Sequence, residues 1–80
     1  MDDAQIVHRI TALADEEHTL ERGKAGVGLS DDEHARLREL EIALDQCWDL
    51  LRQRRARRNA GADPDDAAVR APEVVERYQQ

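Results

Sequence analysis

Two carboxylate–histidine spacings are the first features of this sequence that could do chemistry. Asp15 precedes His18 by three residues, Asp31 precedes His34 by three, and Glu17 and Glu33 stand directly before the two histidines. On a helix, residues i and i+3 share a face, as in the Glu-x-x-His ligands of carboxylate-bridged di-iron bundles. Asp15, Glu17, His18, Asp31, Glu33 and His34 are therefore the metal-ligand candidates. They cluster near a loop that water reaches, so capping and surface hydrogen bonding are the favoured roles, and no metal or cofactor is expected. His8 stands alone and reads as a surface residue.

Nucleophiles are scarce. The one cysteine, Cys47, can form no intrachain disulfide, and zinc sites that need two or four cysteines are excluded by count. It falls on an apolar stripe, where a thiol behaves as a small hydrophobe. The one serine, Ser30, opens a capping motif, and no phosphate-cradling glycine pattern is present. No enzymatic activity is expected.

The remaining chemistry is charge. The net charge is −6, yet Arg52, Arg54, Arg55, Arg57 and Arg58 crowd into seven positions, and without those five the rest of the chain stands at −11. These arginines can complement a helix C-terminus and the nearby acids, or dock an acidic protein partner. Nucleic acid is possible but not favoured, because phosphate binding wants a basic field without an acidic surround and no aromatic is interleaved for base stacking.

The elements that must position these residues are helical. Ile6, Ile10, Leu13, Glu17 and Leu20 recur at spacings of four, three, four and three, which predicts an amphipathic helix over residues 3–22 capped by Asp2 and Asp3. Residues 23–29 hold three of the four glycines and predict a loop. Ser30 and Glu33 form a capping box, and Leu37, Leu40, Leu44, Cys47 and Leu51 continue a second stripe through a helix over 30–59. At 1.5 Å per residue the helices are roughly 30 and 45 Å long. A short loop makes them antiparallel neighbours. The stripes then pair Leu20 with Leu37, Glu17 with Leu40, Leu13 with Leu44, Ile10 with Cys47 and Ile6 with Leu51, and the arginines overhang the start of the first helix. Glu17 interrupts the stripe. It is expected near the loop or paired with Arg36 or Arg38, and it could set register or association state.

Residues 60–80 form a tail. Asp63-Pro64-Asp65-Asp66 reads as a cap with proline at the first helical position, which predicts a short helix over 64–70, and Pro72 breaks it or opens another turn reaching Tyr78. Val69, Val74, Val75 and Tyr78 are expected to pack back on a helix or on a second subunit.

The predicted class is all-α: one domain over 1–80, an antiparallel helical hairpin with a partly helical C-terminal tail, dimerising into a four-helix bundle. Leu44, Cys47, Trp48 and Leu51 are the expected self-association residues. The five arginines and Tyr78 are the expected surface for a protein partner. The chain opens Met-Asp-Asp with no signal-like segment and no membrane-length apolar run, so a cytoplasmic protein without membrane association is expected.

The segments EEH at 16–18, Glu33-His34, LDQCWDLLRQRRARR at 44–58, GADP at 61–64 and VRAPEVVERY at 69–78 resemble an uncharacterised actinobacterial family of short helical proteins, a domain of unknown function. The resemblance spans nearly the whole chain and implies a small cytoplasmic protein of a high-GC Gram-positive bacterium. It implies no activity and supplies no site residues.

Overall fold

Reciprocal caps fix where both long helices start. The computed structural model describes residues 1–23 and 28–78, with side chains up to Glu76; residues 24–27 and the last two residues lie outside that description. Helix α1 spans Asp3–Gly23. At its start the Gln5 amide donates to Asp2 Oδ1 at 2.8 Å, and the Asp2 amide donates to Gln5 Oε1 at 2.8 Å. Helix α2 spans Asp31–Asn59, and its Ser30–Glu33 capping box is fully formed, with bonds of 3.2 and 3.0 Å. Each box satisfies two amides that the helix itself leaves unpaired.

The end of α2 is equally specific. The Gly61 amide donates to the Arg58 carbonyl at 3.1 Å, and the Ala62 amide to the Arg57 carbonyl at 2.8 Å. This Schellman arrangement needs a left-handed residue after the helix, and Gly61 supplies it with φ +75°.

Asp63 then caps a single 3-10 turn at Pro64–Asp66, its carboxylate accepting from the Asp65 amide at 2.9 Å. The helix expected over 64–70 stops there, because Ala67 is extended (φ −69°, ψ 143°). The reason lies on α2. Gln53 Nε2 donates to the Ala68 carbonyl at 2.7 Å and Gln46 Nε2 to the Arg70 carbonyl at 3.1 Å. A helical segment would use those carbonyls internally; an extended one offers them to two side chains seven residues apart on α2. Helix α3, Pro72–Tyr78, starts from the Ala71 carbonyl, which accepts from Val74 and Val75.

The protein is thus an all-α hairpin whose tail folds back on its own α2. Helix α2 is the shared element: it packs against α1, the 3-10 turn and α3, while α1 touches neither of the latter two among the described residues. Ile6, Ile10, Cys47 and Leu50 form the hairpin core, with Leu13, Leu44, Leu51 and Ala67 packed around it. Leu40 and Val75 are buried as well. Val75 and the half-buried Val74 hold α3 down, while Val69 does not pack back on a helix of its own chain and is exposed. The result is a narrow slab of 51 × 25 × 16 Å.

Candidate functional site

A helix advances about 100° per residue, so α2 can serve three directions at once. Leu40, Leu44, Cys47, Leu51 and Arg54 follow the stripe that meets α1. Ile42, Gln46, Asp49 and Gln53 face the tail. Glu41, Trp48, Arg52 and Arg55 occupy the remaining flank. Trp48, Arg52 and Arg55 are exposed there, and Glu41 is exposed as well.

On the tail side, Asp49 is buried and accepts from Arg70 Nη2 at 2.8 Å, Arg70 Nε at 3.0 Å and Gln53 Nε2 at 2.9 Å. Burial pushes its carboxyl up. The hydrogen bonds from Arg70 and Gln53, with the charges of Arg70 and Arg52, outweigh burial and hold it below the usual carboxylate range.

At the start of α1, Arg54 is buried in a clamp joining three elements. It binds Asp3 of α1, donates to Asp65 at 2.9 Å and donates to the Pro64 carbonyl at 3.2 Å. Arg58 Nη2 reaches the second oxygen of Asp3 at 2.9 Å. Hydrogen bonds from Arg54 and then Arg58 lower the Asp3 carboxyl. The arginines therefore do not simply overhang α1: Arg54 is engaged inside the chain and Arg58 is half committed. Arg52 and Arg55 make no salt bridge among the described residues. Arg57 is half-buried and lines a shallow concavity with Arg52, Gln53 and Arg70. The Tyr78 side chain lies outside the described residues.

Both carboxylates titrate in one direction. Their folded-state pKa values lie below the unfolded value of about 3.9, so their stabilisation is complete above that value and disappears as pH falls through the depressed folded values. The melting temperature should be level from pH 7 to about pH 5 and then decline toward pH 3. Asp49→Asn should melt lower at neutral pH and show a shallower acid decline. Equal acid slopes for variant and wild type would contradict the assignment.

The open flank carries the exposed apolar surface. Trp48 is 48% exposed and Val7 of α1 is 50% exposed. With half-buried Leu51 they floor a groove of about 430 Å³ rimmed by Asp3, Arg52, Arg55 and Arg58. Of the expected self-association residues, Trp48 and Leu51 line this groove, and Leu44 is half-buried against the hairpin core. Cys47 is not available to a second copy, since it is buried in the hairpin's own core.

The metal candidates are not assembled. Asp15, His18, Asp31 and His34 lie along the outer parts of the two helices, Glu33 is used in the cap, and Glu17 is half-buried. No group of three or more His, Cys, Asp or Glu side chains is placed to hold a metal among the described residues. Arg36 does not take Glu17; it pairs with Glu16, its Nη2 donating at 2.9 Å, and with Glu39 at 3.1 Å. No helix among the described residues is long and apolar enough to cross a membrane.

Fold and site together define a small helical hairpin, latched by its own tail, with one flank of its central helix left open. The chain belongs to the family described as "Protein of unknown function (DUF2630)", whose model matches residues 2–80. It is 47% identical over 77 residues to the uncharacterized protein Rv0898c of Mycobacterium tuberculosis, covering 95% of this chain and 88% of that protein. The uncharacterized protein Mb0922c of Mycobacterium bovis is similar to the same degree, 47% over 77 residues with the same coverage. No solved structure matches the chain.

Proposed function

We propose that this protein is a non-enzymatic, cytoplasmic interaction module that self-associates through the flank of α2 around Trp48 and presents the neighbouring arginines to a protein partner. The observation that carries the reading is Trp48 itself, half exposed beside Val7 and Leu51 on the flank that neither α1 nor the tail covers. Tryptophan is among the residue types most enriched at binding hot spots.

A protein partner is favoured over nucleic acid because Arg54 and Arg58 are already neutralised by Asp3 and Asp65.

Light scattering tests the reading. The wild type should run at twice its 9.1 kDa chain mass. Trp48→Ala should weaken association about 30-fold or more, as truncation of a hot-spot aromatic does. A wild type that stays at the monomer mass at all concentrations would refute it.

A further inference from the structure

The open flank of α2 has a symmetry of its own. Glu41, Trp48 and Arg55 are spaced by seven residues, so they stand in one line along the helix, with Glu41 and Arg55 roughly 10 Å to either side of the tryptophan. Beside that line, half-buried Leu44 on the N-terminal side of Trp48 and Leu51 on the C-terminal side form the edge shared with the stripe that meets α1, while Asp45 on the N-terminal side and exposed Arg52 on the C-terminal side lie toward the edge shared with the tail. Around Trp48 the apolar positions answer each other, Leu44 against Leu51. The charged positions answer with opposite sign, Glu41 against Arg55 and Asp45 against Arg52.

None of these four charged residues makes a salt bridge within the chain among the described residues, whereas Asp3, Glu16, Arg36, Asp49, Arg54, Arg58 and Arg70 all do. Glu41, Arg52 and Arg55 are exposed and Asp45 is half-buried. A line of charge without salt bridges, acidic at one end and basic at the other with an exposed tryptophan at its centre, is self-complementary under one operation. That operation is a two-fold axis through Trp48, perpendicular to α2.

We propose that the occupant of this flank is a second copy of this chain, with the two α2 helices packed antiparallel and the two Trp48 rings meeting on the two-fold axis. The proposal rests on the self-association reading and adds its orientation and register. Antiparallel pairing sets Glu41 opposite the partner's Arg55 and Asp45 opposite the partner's Arg52, twice each by symmetry. It also sets Leu44 beside the partner's Leu51. The isologous rule, by which residue i meets j and j meets i, is met at every position of the stripe. Parallel pairing would set Glu41 against Glu41 and Arg55 against Arg55, and like charges in juxtaposition disfavour that orientation. Val7 flanks the same groove from α1, so the second copy also covers apolar surface on the first helix.

A charge-swap cycle tests the register. Glu41→Arg and Arg55→Glu each replace two complementary contacts by two like-charged ones, and each should weaken the dimer about tenfold or more at low salt. The double variant E41R/R55E restores both contacts with reversed polarity and keeps the net charge at −6. It should return to within about threefold of the wild type by sedimentation equilibrium. Trp48 is the one tryptophan, so its emission gives a second readout: blue-shifted in the wild type and the double variant, red-shifted in the single variants. Far-UV circular dichroism checks that each variant is folded, and neutral Glu41→Gln and Arg55→Gln give graded weakening without like-charge contacts.

A wild-type dimer split by Trp48→Ala, with the double variant no better than the singles, would overturn this register and leave self-association standing. Single reversals that leave the dimer intact would do the same. A monomeric wild type would overturn both.

Discussion

Asp49→Ala is expected to cost about 3 kcal/mol and to release the tail from α2. Asp49 is 1% exposed, and its carboxylate receives three hydrogen bonds, two from Arg70 and one from Gln53. Removing it takes their shared acceptor from a guanidinium and an amide at the surface the tail must cover. Removing one partner of a buried pair costs about 3–5 kcal/mol, because the other charge stays desolvated. Arg70 retains about a third of its side-chain exposure, so part of its hydration returns and the lower end of that range applies. Limited proteolysis within 67–71, with the denaturation midpoint beside it, reads the effect. Asp49→Ala should be cut in that segment faster than the wild type while the hairpin stays helical. A variant with the wild-type midpoint and cleavage rate would show that the tail is held without this pair, by Val75 and its neighbours.

Ile6→Ala should cost about as much, by a different route. Ile6 is fully buried in a cluster with only three other buried members, Ile10, Cys47 and Leu50. Truncating a buried isoleucine removes transfer free energy and leaves a cavity, together about 2–5 kcal/mol. An 80-residue chain is stable by about 4–12 kcal/mol in all, so this one change removes a large part of the margin. Ile6→Val should cost about 1 kcal/mol. Urea titration followed by circular dichroism distinguishes them: the alanine variant should shift the midpoint about three times as far as the valine variant. Equal shifts would mean that the site collapses around the cavity and that the core is more plastic than its burial implies.

The hairpin was legible because its signals are apolar and local. Two stripes of spacing three and four, the Ser30–Glu33 box and Gly61 are each visible in a short window, and the structure places helices and caps on those residues. The misplacement of Arg54 is more instructive. The register that pairs Ile6 with Leu51 pairs Asp3 with Arg54 when carried one step further, and that ion pair is present. The signal is in the sequence, but an arginine within an arginine-rich segment reads as surface, and a stripe defined by apolar residues ends at Leu51. The tail-binding face of α2 left no such signal. Gln46, Asp49 and Gln53 recur with helical spacing, yet hydrophobic periodicity is blind to a polar stripe. Their partners, Ala68, Arg70 and the extended segment between them, lie far along the chain. Long-range polar pairing depends on where the chain returns, and no local window reports that. The candidate surface was half legible. Trp48 stands one residue off the seam and is exposed for that reason, whereas its neighbour Cys47 lies on the seam and is buried by it.

The position of α2 between two neighbours has a consequence for how the molecule comes apart. It is the spine of a book with two unequal covers. One cover, α1, is held by a greasy hinge line of Ile6 and Ile10; the other, the tail, is fastened chiefly by polar clasps. Apart from the Arg54 pin at one corner and Ala67, which packs against the hairpin core, the two covers are fastened separately, because α1 meets neither the 3-10 turn nor α3 among the described residues. Conditions that loosen charge will turn the tail first, and conditions that loosen oil will turn α1. The spine itself, bonded along its whole length and pressed from both sides near Cys47 and Asp49, is the last backbone to fray.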